Sequence, residues 1–230
     1  MSKHNLALLI DAARLLKPLL RELAFVGGST TALLITDKAA ADVRPTYDVD
    51  AIAEITSYAA YTDFSERLRK LGFTEDTSEG ALICRWRHKK TILDVLPLDE
   101  QILGFSNRWY KSAMDTAVVR ELEPGLHVRV VTAVFFCATK LEAFAGRGKN
   151  DYMSSHDLED LIAVVDGRAE LVKEIHAGPE DVRTCIAAEI KKLLGTSSFV
   201  DALPGFLLPD AVSQARISTV LERLTQIAGV

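Results

Sequence analysis

The chain has 230 residues, 48% of them hydrophobic and 26% charged, with a net charge of −5. That composition is ordinary for a globular protein long enough to build one large domain or two small ones. It excludes a bilayer-spanning chain, because no apolar run is long enough, and a general polyanion binder, because no basic field covers the whole protein.

Met1 to Asn5 carries one Lys, and Asp11 soon interrupts the apolar residues that follow. This is a poor signal peptide, so the expected location is cytoplasmic. Leu8, Leu9, Ala12, Leu15, Leu16, Leu19, Leu20 and Leu23 recur at helical spacing and predict an amphipathic helix over 6–23, bent or divided at Pro18. Ala24-Phe25-Val26 reads as a short buried strand ending at Gly27-Gly28. Ser29 and Thr30 are natural helix starters, with a short helix expected over 31–35. Residues 36–46 read as a loop and 47–52 as the next strand. A second amphipathic helix is expected over 57–71, closed by Gly72. Residues 81–87 and 91–96 predict an antiparallel hairpin joined by His88-Lys89-Lys90. The basic cluster Arg85, Arg87, His88, Lys89 and Lys90 then reads as a charged hairpin tip; Arg147 and Lys149 form a second basic group. Residues 101–120 look irregular, with a helical turn or two, and 126–131 form the last clear strand. From Thr132 onward the pattern is helical: 132–144, 156–165 capped by Ser154 or Ser155, about 179–194, and 209–227. Cys84, Cys137 and Cys185 are far apart, odd in number and without metal-ligand spacing, so they read as free thiols of a reducing compartment. The expected architecture is α+β, a mixed-sheet domain over 1–131 followed by a helical domain over 132–230.

Three short pieces carry the chemistry. Gly27-Gly28-Ser29 follows a strand and opens a helix, where backbone N–H groups can cradle phosphates and glycine permits close approach. Asp48 and Asp50, one residue apart on a strand, point to one face. Asp94 lies inside Ile92-Leu93-Asp94-Val95-Leu96, where an unpaired buried carboxylate would be costly. Three carboxylates in a small volume suit Mg²⁺, and a pair of ions roughly 4 Å apart would stabilise both ends of an in-line phosphoryl displacement. Each piece also has an ordinary reading: a tight bend, an exposed strand edge, and an aspartate that simply faces solvent. Their order, strand, Gly-Gly-Ser, helix, Asp-x-Asp strand, helix, hairpin with Asp, favours the joint one.

Phe25-Val26-Gly27-Gly28-Ser29 followed by Arg44-Pro45-Thr46-Tyr47-Asp48-Val49-Asp50 resembles the signature of the nucleotidyltransferase superfamily, whose simplest members are the bacterial minimal nucleotidyltransferases. Lys140-Leu141-Glu142-Ala143, Arg147, and His156-Asp157-Leu158-Glu159-Asp160-Leu161 look like the corresponding stretch of the AbiEii/AbiGii toxin branch, with His156 where that branch has Arg. The resemblance covers about residues 25–160. It implies a mixed-sheet domain followed by a helical one, contact of Lys140 with the nucleotide, and a later aspartate acting as a base. On the residues alone, a solvated helix face is the favoured reading for Lys140 and Arg147, and Asp157 and Asp160 suit helix capping.

The expected activity is Mg²⁺-dependent transfer of a nucleoside monophosphate from an NTP to an acceptor hydroxyl. Asp48, Asp50 and Asp94 would hold metal; Asp94 or Asp157 would help activate the acceptor; Gly27, Gly28, Ser29, Lys140 and Arg147 would bind the triphosphate. The toxin branch implies a tRNA end or a protein side chain as acceptor and a partner antitoxin. Antibiotic modification, a non-catalytic nucleotide-binding module, and an unrelated α/β protein are the alternatives. Trp86 and Trp109 are candidates for base stacking, with packing the preferred role for Trp86.

Overall fold

The computed structural model of the protein describes residues 3–229. They form two compact units, one of residues 3–30 and Pro45–Thr132, the other of Thr31–Arg44 and residues 133–229. The first carries the strands and the second is helical. A single division at 131/132 was the expectation from the sequence; Thr31–Arg44 groups instead with the later helices.

In the first unit, helix α1 (Lys3–Leu15) buries Leu9, Ala12 and Ala13. It stops short of the expected Leu23. Pro18 has no N–H to continue an α-helix, and the chain tightens into a 3-10 helix, Lys17–Glu22, with the proline in its first turn. Strand β1 (Leu23–Val26) is buried throughout. Strand β2 (Val49–Ala53) pairs antiparallel with it, Val26 opposite Asp50. Helix α3 (Tyr58–Lys70) follows, its Ala60 amide donating to the Ser57 side chain. Strands β3 (Thr74–Glu75), β4 (Arg85–His88) and β5 (Thr91–Pro97) form antiparallel neighbours, and β5 lies parallel to β2. On the other flank β7 (Leu126–Val130) runs parallel to β1, and β6 (Val118–Glu123) closes the sheet edge. The sheet order is β3-β4-β5-β2-β1-β7-β6. Phe25, Ile52, Trp86 and Leu93 fill its core.

The stretch expected to be irregular with a helical turn or two holds two short helices, α4 (Glu100–Leu103) and α5 (Tyr110–Asp115), and also the start of β6. Strand β6 escaped the sequence reading because it is a largely exposed edge with polar residues on both faces, so it lacks the alternation that marks a half-buried strand.

The second unit begins with α2 (Thr31–Leu34), and continues with α6 (Ala133–Arg147), α7 (His156–Gly167), α8 (Leu171–His176), α9 (Glu180–Leu194), α10 (Ser197–Ala202), α11 (Ala211–Ala215) and α12 (Ile217–Ala228). Ser155 caps α7 through the Leu158 amide. The segment after α2 is tied to these helices by its backbone: Thr36 and Asp37 amides both donate to the Gly167 carbonyl at 2.9 Å, and Arg168 donates to the Leu34 carbonyl at 2.8 Å. A Cβ on Gly167 would sit 2.8 Å from Ile35 Cγ2, so the close approach requires glycine. Among the described residues no helix is long and apolar enough to cross a membrane.

Candidate active site

The Gly-Gly-Ser bend leaves β1 directly. Gly27 lies in the left-handed region at φ 75°. Residues Gly28–Thr30 form a 3-10 turn, with the Thr30 amide and hydroxyl donating to the Gly27 carbonyl at 3.0 and 2.8 Å. A Cβ on Gly27 would lie 2.1 Å from Asp50 Oδ2. The second motif's carboxylate therefore rests against the backbone of the first. The Ser29 hydroxyl is buried and has no hydrogen-bond partner, an arrangement that normally has an unmet ligand or a cost behind it.

Helix α1 fixes the relation between bend and strand. Asn5 is fully buried; its Nδ2 donates to the Gly28 carbonyl at 3.4 Å, and its Oδ1 accepts from the Thr46 amide at 3.1 Å. The His4 ring meets the Thr46 carbonyl at 2.8 Å, and the Thr46 hydroxyl donates to Asp48 Oδ1 at 2.9 Å. Asn5→Ala is expected to cost about 1–3 kcal/mol, because it strands a buried amide and a buried carbonyl. Urea denaturation of wild type and variant checks this; a loss below about 0.5 kcal/mol is what a surface substitution gives and would deny Asn5 the clamping role.

The sheet then assembles the carboxylates. Asp50 and Asp94 are register partners on parallel strands β2 and β5, and Asp94 is the cross-strand partner of Arg85 on β4. Directly opposed residues project from the same face, so Arg85, Asp94 and Asp50 form one row across three strands. Asp94 is only 2% exposed, which removes the solvent-facing alternative. Its charge is met by Arg85: Nε donates to Asp94 Oδ1 at 2.8 Å, Nη2 to Asp94 Oδ2 at 2.7 Å, and the same Nη2 to Asp48 Oδ2 at 2.8 Å. The Asp94 hydrogen bonds, with the charges of Asp94 and Asp48 behind them, outweigh burial and raise the Arg85 pKa above its usual value.

The donor set is all carboxylate oxygen, the kind that Mg²⁺ takes. Its register, its contact with the bend and the orphaned Ser29 hydroxyl suit a cation carrying a polyphosphate. The present side-chain placement is different: among the described residues no group of three or more His, Cys, Asp or Glu is positioned to hold a metal ion. Asp48 and Asp94 turn to the Arg85 guanidinium. Asp50 and Asp94 fit a divalent ion in kind and in register, and Asp48, just before β2, in kind alone, with Arg85 standing at Asp48 and Asp94.

The remaining expected residues belong to the helical unit. Lys140 is 7% exposed and its Nζ donates to Asp157 Oδ1 at 3.1 Å and Asp160 Oδ2 at 2.7 Å. Arg147 binds Asp157 through Nε and Nη2, each at 2.9 Å; Arg44 binds Asp160 in the same two-pronged way, both bonds at 2.9 Å. Neither the solvated helix face for Lys140 nor simple capping for Asp160 describes this buried network. Burial pushes the Asp157 carboxyl up, but the Arg147 hydrogen bond and the charges of Lys140 and Arg147 outweigh it and hold the carboxyl below its usual range. A general base working near neutral pH needs the opposite shift, so this geometry suits Asp157 to orienting the two cations. A lowered folded-state pKa contributes stability that is present above the unfolded carboxyl's value of about 3.9 and is lost as pH falls through the folded value. The expected result is a stability plateau above about pH 5 with a decline below about pH 4 that is smaller in Asp157→Asn, read from denaturation midpoints against pH.

Asn5 lies outside every motif of the sequence; Arg44 and Thr46 stand within the 44–50 motif stretch but without an assigned role, and Arg85 stands only in the basic cluster. Arg85 was grouped with the hairpin tip, yet only Arg87 to Lys90 lie toward it. Trp86 and Trp109 are both buried and present no free face for a base, whereas Tyr47, beside Asp48, is 73% exposed. None of Cys84, Cys137 and Cys185 is in a disulfide; burial first, then the charges of Asp94 and Asp50, pushes Cys84 up to about 12.

No protein-family model matches this chain, and no curated protein sequence does. Solved structures do resemble it. An antigenic nucleotidyltransferase-like protein from Paracoccidioides brasiliensis is 19% identical, with 87% of this chain and 94% of that one covered at a TM-score of 0.51. JHP933 from Helicobacter pylori is 12% identical, with 100% of this chain and 94% of that one covered at a TM-score of 0.46. The first of these likenesses, together with the seven-stranded mixed sheet, shows that the chain has a nucleotidyltransferase-like fold.

Proposed function

We propose that the protein is a nucleotidyltransferase that moves a nucleoside monophosphate from an NTP to an acceptor hydroxyl. The observation that carries the reading is the contact of Asp50, in register with Asp94, with the Gly27 backbone of a bend whose Ser29 hydroxyl is unpartnered. Asp48, Asp50 and Asp94 would hold Mg²⁺. Bound there, Mg²⁺ would offset the negative charge that builds on the phosphoryl oxygens as the group is transferred. Gly27 and Gly28 let the chain approach the triphosphate closely, and Ser29 supplies a donor that costs nothing to redirect. Asn5 and Thr46 keep Asp48 aimed. Lys140 and Arg147 are cations suited to phosphate, held in place by Asp157 and Asp160. The resemblance of the 140–161 segment to the AbiEii/AbiGii branch favours an RNA end or a protein side chain as acceptor and an antitoxin as partner, in the cytoplasm, over antibiotic modification.

Incubation with each labelled NTP, Mg²⁺, total RNA and cell lysate tests this. Label is expected on RNA or on protein, and the Asp48→Asn/Asp50→Asn double variant is expected to lose at least about 1000-fold of the rate, the scale of removing the principal electrostatic stabilisation. Nucleotide binding that ignores Mg²⁺, without label transfer, would support the non-catalytic binding module instead.

A further inference from the structure

Arg85 is a cation inside the aspartate row, paired with Asp94 and Asp48, and no motif assigns it. Its guanidinium takes both oxygens of Asp94 and one of Asp48; the other Asp48 oxygen accepts from Thr46. A small divalent ion needs those same oxygens at about 2.0–2.1 Å. The lone pairs cannot serve both partners at full strength. Asp94, nearly inaccessible to water, also cannot be left bare, since an uncompensated buried carboxylate is strongly unfavourable. Its register partner on β2, Asp50, is acidic, and its partner on β4 is Arg85. Some cation must therefore stand against Asp94 at all times. The Arg85 side chain is about one-fifth exposed, so its head has a route to solvent.

We infer that Arg85 is the resident counter-ion of this site: its guanidinium holds Asp48 and Asp94 together in the absence of a divalent cation, and the cation binds by displacing it. The inference rests on the proposed function only in placing a divalent ion on these carboxylates. It makes metal affinity in the wild type weaker than the carboxylates alone would give, by the cost of releasing Arg85. It also makes Arg85 a positioning residue that keeps the row assembled between binding events.

The test is Mn²⁺ binding to the full chain, followed by loss of the free-ion electron paramagnetic resonance signal, in wild type, Arg85→Lys and Arg85→Met. Arg85→Met is expected to bind Mn²⁺ at least tenfold more tightly than wild type and to gain more in thermal midpoint from it, with Arg85→Lys between them. Equal or weaker Mn²⁺ binding by Arg85→Met overturns the inference. If Arg85→Met folds only when Mn²⁺ is present, the inference is supported; if Mn²⁺ does not rescue it and Arg85→Lys binds Mn²⁺ as wild type does, the inference fails. Label transfer by wild type alongside unchanged Mn²⁺ affinity in the variants would sink the counter-ion and leave the transferase reading standing. Tighter Mn²⁺ binding with no transfer from any NTP would do the reverse.

Discussion

Gly27→Ala is expected to destabilise the sheet unit by about 2–5 kcal/mol, the sum of a left-handed backbone strain and an overpacked contact. The strain follows from φ 75° at a residue that would gain a Cβ. The overpacking is specific: the new methyl would fall 2.1 Å from Asp50 Oδ2 and 2.8 Å from its carboxyl carbon. The carboxylate would have to leave the bend, so nucleotide-dependent activity should fall together with stability. The two contributions separate in a double-mutant cycle with Asp50→Ala, measured by urea denaturation. The strain persists whatever occupies position 50, while the 2.1 and 2.8 Å clashes with the carboxyl group disappear and only the tight 3.1 Å approach to the Cβ of residue 50 is left. A coupling of at least about 1 kcal/mol is therefore expected between the two substitutions. Strict additivity would show that Asp50 does not rest on the glycine backbone.

The second large effect belongs to the helical unit. Lys140→Met should cost about 3 kcal/mol, because one substitution removes a shared cation from two buried carboxylates. Asp160 is only 1% exposed and Asp157 is 6% exposed. Arg44 and Arg147 stay behind as one partner for each, which keeps the loss toward the lower end for a broken buried pair. Arg147→Met is the contrast. Its side chain is 70% exposed, so solvent screens its pairing with Asp157 and the expected cost is within about 1 kcal/mol. Denaturant midpoints of the two variants give the comparison; equal costs would mean that burial does not set the strength of this network.

Much of the site could be read in the chain because each motif is local. The bend follows a short apolar run, and Asp50 falls on the strand expected there; Asp48 lies one residue before its start. Arg85 shows where such reading stops. Taking the hairpin turn as His88-Lys89-Lys90 sets Arg87 opposite Thr91, and counting back puts Cys84 opposite Asp94. The actual turn is two residues, Lys89-Lys90, with Lys89 at φ 54°, so His88 faces Thr91 and Arg85 faces Asp94. One residue of slip exchanges the side chains that share a face. Turn length was the missing information, and the pairing of an isolated aspartate with an arginine at the hairpin's other end was the available clue. Asn5 and Arg44 could not be reached that way. Asn5 lies 41 residues from Thr46, and Arg44 lies 116 residues from Asp160, separations that only tertiary packing closes.

The excursion of Thr31–Arg44 into the helical unit bears on how this protein can be dissected. A gene cut near codon 132 would yield a C-terminal fragment lacking Arg44, with Asp160 keeping Lys140 but deprived of its guanidinium fork. The same fragment would leave the Gly167 carbonyl without the Thr36 and Asp37 amides. An autonomous helical piece is better built by fusing residues 31–44 through a flexible tether to residue 133, so that the recombinant carries its own arginine.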